Sequence, residues 1–260
     1  MMKLWEKKCT FHQSKIFGMS WMECMSAARC CWLFVFLICS ANESRCQLFD
    51  ENYPSLEDYR SLGISAAVQD FGPAGGNTLS DSAKIHINTP LWLAEYRQMG
   101  VRIAFGYSSY KFNNDSRSEI SLAAESITDI SFTTASEHNN FFLPVVFSTN
   151  FVQASGASNS SKDFNIANVG IGTGLKYKQV TEKFGVQFTG VGILYYSTAG
   201  FSVESGSSTA VVAEIQFLFH ELIGDGFTAG YRFETQKWSM SDKTQNYVRL
   251  FQGPFIGIFF

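Results

Sequence analysis

From Leu62 to the C-terminus the chain repeats every two residues. Leu62, Ile64, Ala66 and Val68 share one parity, with Gly63, Ser65, Ala67 and Gln69 on the other. The same alternation recurs in Ile85, Ile87, Thr89, Leu91 and Leu93 against Lys84, His86 and Asn88, then in Val101, Ile103, Phe105 and Tyr107 against Arg102, Ala104, Gly106 and Ser108. A period of two is that of a strand whose faces meet different surroundings. Further segments follow: Ile120–Thr134, Leu143–Phe151, Ala167–Tyr177, Phe184–Tyr195, Val211–Phe219, Phe227–Phe233 and Tyr247–Phe260. In the seventh, the apolar parity moves from Phe184, Val186 and Phe188 to Val191, Ile193 and Tyr195, which predicts a bulge near Gly190. The last is apolar on both faces near its end. The pattern predicts about ten antiparallel strands, with eight to twelve as the bounds.

The connections sort into two kinds. Gly72–Ser82, Asn113–Ser118, Ala154–Asp163, Ala199–Ser208 and Ser239–Asn246 are polar and loop-like; Tyr96–Gly100, Ser136–Asn140, Gln179–Lys183 and Ile223–Gly226 are tighter. Long and short connections in turn are expected of an up-and-down meander whose ends face different compartments. The expected fold is therefore all-β: a closed, antiparallel, up-and-down barrel.

Alternation alone does not say whether the apolar face looks in or out. The polar parity is rich in Gly, Ser, Thr, Asn and Gln and sparse in charge, unlike a soluble surface. Gly170, Gly172 and Gly174 suit a crowded interior. Tyr96, Tyr107, Tyr177, Tyr195, Trp238 and Tyr247 sit near segment ends, where amphipathic rings suit a membrane interface. The expectation is a transmembrane barrel, apolar outside.

Composition agrees. Hydrophobic residues make up 45% of the chain and charged ones 17%, yet mean hydropathy is −0.02, so the apolar residues are interleaved rather than clustered. The single long apolar run is Cys30–Ile38, CCWLFVFLI, preceded by Arg29 and followed by Cys39-Ser40-Ala41. Basic flank, apolar core and small residues are the parts of a secretory signal, expected to be cleaved after Ala41. An uncleaved anchor is the alternative. The flank is long, and Met25 offers a start with ordinary signal proportions. Residues 42–61 are expected to form a periplasmic tail and 62–260 the barrel.

The net charge is −3, and residues 1–41 hold a surplus of three positive charges, which leaves an acidic body and argues against nucleic acid as a partner. Five of the six cysteines precede Asn42, and the sixth, Cys46, cannot form an internal disulfide in a processed chain. No spacing calls for a metal or a cofactor.

The chain ends in Phe260, with Phe255, Ile256, Ile258 and Phe259 before it. A last strand closing on a terminal Phe resembles the C-terminal signal of bacterial outer-membrane barrels. The resemblance implies recognition of Tyr247–Phe260 by the barrel assembly machinery, residence in the outer membrane, and membrane lipid as the immediate partner. Gly253-Pro254 departs from the pattern: proline removes a ladder donor, so the strand must bulge or go unpaired there.

The inward parity collects Lys84, His86, Arg102, Glu119, Glu125, Asp129, Lys176, Lys178, Glu214, Arg232 and Glu234. A ten-strand lumen is narrow. The leading expectation is a paired internal network, because unpaired buried charges cost several kcal/mol; the second is a path for ions or small solutes. Ten-strand barrels include proteases resembling the omptins, which need an acidic pair and an Asp–His pair at the external rim. Asp70, Asp81, Asp115 and Asp242 are near external loops, but His86 reads as mid-strand, and His138 and His220 as periplasmic. A lipid-modifying enzyme would need a Ser–His set, and no serine pairs with His220. The functional expectation is a non-enzymatic structural barrel or narrow channel. The alternatives are an adhesin-like barrel binding a surface ligand through external loops such as 154–163, and a barrel hydrolase.

Overall fold

A computed structural model of the chain describes residues 60–260 apart from 74–84, 88, 99, 113–114, 132–138, 157–163, 182, 200–203, 222–224 and 242–245. The signal region 1–41, most of the tail, Lys84, and the sequence-predicted surface loop beyond Gly156 lie outside the described residues.

The described strands are β1 (Ser61–Pro73), β2 (Ile85–His86), β3 (Leu91–Gln98), β4 (Val101–Phe112), β5 (Asp115–Ser131), β6 (Asn139–Gly156), β7 (Phe164–Val180), β8 (Phe184–Ala199), β9 (Glu204–His220), β10 (Gly226–Met240) and β11 (Tyr247–Phe259). Each long strand pairs antiparallel with the next, and β11 returns to pair with β1, from Ser61 opposite Phe259 to Pro73 opposite Tyr247. The result is a closed ten-strand up-and-down barrel; β2 is a two-residue piece beside β1. Closure leaves no strand edge. Both ends of the barrel chain lie at one rim, the terminal end, where the Phe260 N–H donates to the Arg60 carbonyl at 3.0 Å.

The barrel is inside out relative to a soluble one. Leu194 (68% exposed), Ile171 (62%) and Ile258 (60%) project outward, while glutamates, arginines and glutamines on the other parity are buried inside. On β8 the outward apolar run spans Phe184 to Tyr196. Twelve residue steps of about 3.3 Å, tilted by roughly 40°, give about 30 Å, the thickness of a bilayer core. Beyond it the outward positions turn polar, with exposed Ser205, Ser207 and Thr209 at the other rim. At the terminal end outward rings meet on neighbouring strands: Phe219 lies 4.5 Å from Phe227 and 5.3 Å from Phe184, and Phe141 lies 4.9 Å from Tyr177.

Not every aromatic joins this outer belt. Tyr96, Tyr107 and Tyr177 have the outward parity, but Trp238 is fully buried inside, Tyr195 is buried there too, and Tyr247 packs on the same inner cluster as Trp238. Position at a strand end does not decide which face a ring takes.

The expected bulge near Gly190 is absent. β8 keeps one register against β7 and β9 throughout, so Val191, Ile193 and Tyr195 point into the lumen. They fit because Gly174, Gly172 and Gly170 stand directly opposite them on β7. A Cβ on Gly172 would lie 2.7 Å from Ile193 Cγ1, and one on Gly170 would collide with the Tyr195 ring. The apolar residues changed face; the backbone did not.

The second segment also corrects the sequence reading. Leu91 and Leu93 are buried inside, and Trp92 is outward at 58% exposure. His86 is opposite Asp70 and Leu91 opposite Ala67, so the register moves by two residues between β2 and β3, around Pro90. That bulge resets the faces. The strand then continues to Gln98, through what reads as a turn at Tyr96. The turn itself uses Gly100 at φ 64°, a left-handed conformation suited to glycine in a tight hairpin, and the Gly100 carbonyl accepts from Ile127 N–H at 2.6 Å.

Connections do not alternate strictly in length. β4 and β5 are joined by residues 113–114 alone, whereas 132–138 separate β5 from β6 at the opposite rim. Pro254 causes no bulge: Tyr231 on β10 stays opposite it in unbroken register. The cost falls on the other side, where pairing with β1 lapses at Ala66 and Ala67 and resumes unchanged.

Two variants separate inner crowding from outer space. Gly172→Ala is expected to destabilise the folded barrel by about 1–3 kcal/mol through overpacking. Gly192→Ala, whose Cβ would meet nothing within 4 Å, is expected to be neutral. Urea unfolding in lipid vesicles measures both. Leu194→Arg, innocuous on a soluble surface, is expected to cost about 2–4 kcal/mol if mid-bilayer; an unchanged unfolding midpoint would place that face in water.

Candidate functional site

Alternation delivers charged residues to one level of the lumen from both walls. β3 supplies Glu95 and Arg97, two residues apart on one face; β4 supplies Arg102, and β5 supplies Glu125 directly opposite it. Across the lumen, Glu214 on β9 stands directly opposite Arg232 on β10, with Glu234 two residues further along. All seven side chains are buried within the barrel.

Six of them close a ring of alternating sign. Glu95 accepts from Arg102 at 3.1 Å, Arg102 donates to Glu125 at 3.4 Å, and Glu125 accepts from Arg232 at 3.1 Å. Arg232 donates to Glu214 at 3.2 Å, Glu214 accepts from Arg97 at 2.6 Å, and Arg97 donates back to Glu95 at 2.9 Å. Glu234 adds a third carboxylate to Arg232 at 3.1 Å. The Arg97 guanidinium also lies over the Phe255 ring, 3.9 Å from its centre, on β11. The directly opposed Arg97 and Arg102 would repel, but each has glutamate oxygens around it.

The planar guanidinium forks hold carboxylates on two sides, which fixes the ring geometry and leaves no carboxylate free as acid or base. Two of the links, Arg97–Glu214 and Arg232–Glu125, join β3–β5 to β9–β10. The ring is therefore a diaphragm across the lumen.

Filled layers lie between it and the loop end. On one wall Val146, Val191, Ile193, Tyr195, Ala210 and Val212 cluster, and on the other Ala67, Leu91, Leu93, Ala104 and Phe251. Then come two polar groups. Gln69 donates to Glu119 at 2.5 Å and accepts from Arg249 at 2.9 Å. Asn168 Oδ1 accepts from Ser197 at 2.6 Å and from the Trp238 indole at 3.1 Å. An apolar cap of Ile87, Tyr110, Ile166, Trp238 and Met240 follows.

Of the sequence-predicted lumen residues, Arg102, Glu125, Glu214, Arg232 and Glu234 meet in the ring. Lys176 and Asp129 form their own ion pair outside it. Glu119, wholly buried, belongs to the upper layer, and Lys178 is half-buried near the terminal end. Of His86 the backbone alone is described. It lies opposite Asp70, toward the loop end rather than mid-strand as the sequence reading had it. His220 is on the terminal side, its ring 5.4 Å from that of Phe259. Among the described residues no group of His, Cys, Asp and Glu is arranged to hold a metal ion.

Sequence reasoning missed Glu95, Arg97 and Arg249. Reading Leu91 and Leu93 as outward puts Glu95 and Arg97 on the lipid face, and the strand was ended before them. Trp92, Ala94 and Tyr96 form an equally good outward row, and two charges at that spacing cannot face lipid; that conflict was the available signal.

No family model and no curated protein matches the chain. Among solved structures it is similar to Ail, the attachment invasion locus protein of Yersinia pestis, at 14% identity and a TM-score of 0.26, covering 79% of this chain and 100% of that one. It is also similar to the outer membrane protease OmpT of Escherichia coli, at 7% identity and a TM-score of 0.33, covering 81% and 99%. The toluene transporter TodX of P. putida matches at 10% identity and a TM-score of 0.27, covering 78% and 89%. At these values the similarity says nothing about activity, and the three titles name different tasks.

Removing the ring's most connected member tests its structural weight. Arg232→Ala leaves Glu125, Glu214 and Glu234 short of a partner and is expected to cost about 3–5 kcal/mol. Glu234→Gln, which leaves the six-membered ring whole, is expected to cost far less. Heat-modifiable gel migration with urea titration reads both.

Proposed function

We propose that this chain is an exported outer-membrane barrel with a lumen closed at rest, acting as a structural surface protein and not as an enzyme. The observation that carries this reading is the diaphragm of three arginines and four glutamates spanning the lumen. Every member is engaged by another, and no room is left for a substrate beside a reactive group.

Several features support residence in the outer membrane. The apolar band has bilayer height, the strands close into a barrel without edges, and the final strand presents Ile256, Ile258 and Phe260 outward on the parity that faces lipid. A closed barrel satisfies its backbone amides without water, which is what the hydrocarbon demands of it. In this reading Tyr247–Phe260 is the segment handed to the barrel assembly machinery, and lipid is the partner of the outer face. The loops at the non-terminal rim are the surface offered to the exterior.

Fractionation of cells making the full chain is expected to place it in the outer membrane, with slower or faster gel migration after boiling marking a folded barrel. The purified protein in planar bilayers is expected to show no sustained conductance. A steady open channel from the unaltered protein would refute the closed lumen, and a soluble periplasmic species would refute the localisation.

A further inference from the structure

The ring divides into two sets of charges that are each complete without the other. On β3–β5, Glu95 is held by both Arg97 and Arg102, and Glu125 by Arg102. On β9–β10, Arg232 is held by Glu214 and Glu234. Two ties cross the lumen between the sets: Arg97–Glu214 and Arg232–Glu125. If both ties part, every one of the seven charges still has an opposite charge on its own wall. The usual penalty for breaking a buried ion pair is an orphaned charge, and here that penalty is absent.

The space above the ring is divided in the same way. The apolar clusters on the two walls are separate and do not merge across the lumen. Along β10, Arg232, Glu234 and Gln236 share the inward face between them. Two buried polar atoms on this file, Arg232 Nε and Gln236 Oε1, have no hydrogen-bond partner. Buried polar atoms without protein partners are where water is held.

We infer that the ring is a two-position gate: parting of the Arg97–Glu214 and Arg232–Glu125 ties opens a water-lined path for small inorganic ions along β10. This rests on the closed-lumen reading and adds an open position to it. The charges re-pair within each wall, so the two positions differ by two charge-assisted links and the hydration of the gap, a small difference for a bistable element. The closed position is the one observed.

The geometry names the variant that severs both ties without stranding a charge. In the double variant Arg97→Gln/Glu125→Gln, Glu95 keeps Arg102, and Glu214 and Glu234 keep Arg232. Planar-bilayer recording in potassium chloride is the assay, with heat-modifiable migration confirming that each protein is folded. The unaltered protein is expected to be silent or to open rarely. Each single variant is expected to raise time-averaged conductance on the order of tenfold, and the double variant more than either. The control Lys176→Gln/Asp129→Asn removes a lumen ion pair that is not in the ring and is expected to stay silent. A folded, inserted double variant that is silent overturns the gate and leaves the closed lumen standing. Sustained conductance in the unaltered protein instead overturns the closed lumen itself. Should the double variant not fold, folded Glu125→Gln alone decides: silence overturns the gate, and conductance above the control supports it.

Discussion

Ten strands enclose a lumen too narrow for bulk water, yet alternation puts charged side chains into it from both walls. Those charges have to satisfy one another. The solution is geometric: arginines reach across from β3 and β10 to glutamates on the opposite wall, and each planar fork engages two carboxylates or more. Closure of the barrel and pairing of the ring are thus one condition. If β11 did not return to β1, the walls would not face each other at this spacing, and the crossing links would have no second end.

The rest of the interior follows from filling what the ring leaves. Above it, one wall is lined by valine, isoleucine and tyrosine from β8 that lie over three glycines of β7. The opposite wall carries leucines of β3 packed on Phe251. Apolar side chains inside a membrane barrel need no hydrogen-bond partners, so they are an inexpensive way to occupy volume. Where polar groups return, they come as sets: Gln69 with Glu119 and Arg249, and Asn168 with Ser197 and Trp238. The same logic explains why Trp238 is inside despite its place at a strand end. Its indole N–H has an acceptor in Asn168, which an outward position would have to find in the headgroups.

The architecture was legible in the sequence because it depends on a period of two and on turn positions, and both survive in the residue order. The outward rows of β1, β4, β5 and β9 read correctly from alternation alone, as did five members of the ring. The failures share one cause. Alternation tells which residues share a face, and a rule that apolar means outward is then needed to assign that face. β3 and the second half of β8 break the rule, with leucine, valine and isoleucine pointing inward. In β8 the compensating glycines sit on a different strand, so nothing local announces the exchange. In β3 the error ended the strand early and hid Glu95 and Arg97, the residues that complete the ring.

Pro254 shows how a local fault can be placed where the structure tolerates it. Its missing N–H falls at the seam where the last strand meets the first, and pairing there lapses over two residues without changing register. At the same seam Gly253 lies so close to Ala66 that a Cβ would collide with its carbonyl oxygen, so the two strands are held by close approach where hydrogen bonds are missing. The seam is made last in any chain that closes a meander, since it joins residues about as far apart in sequence as the barrel allows. The charge ring bears on this, because Arg97–Glu214 and Arg232–Glu125 also join early strands to late ones. Long-range ion pairs inside and an interrupted ladder in the wall therefore divide one task, keeping the first and last thirds of the barrel together.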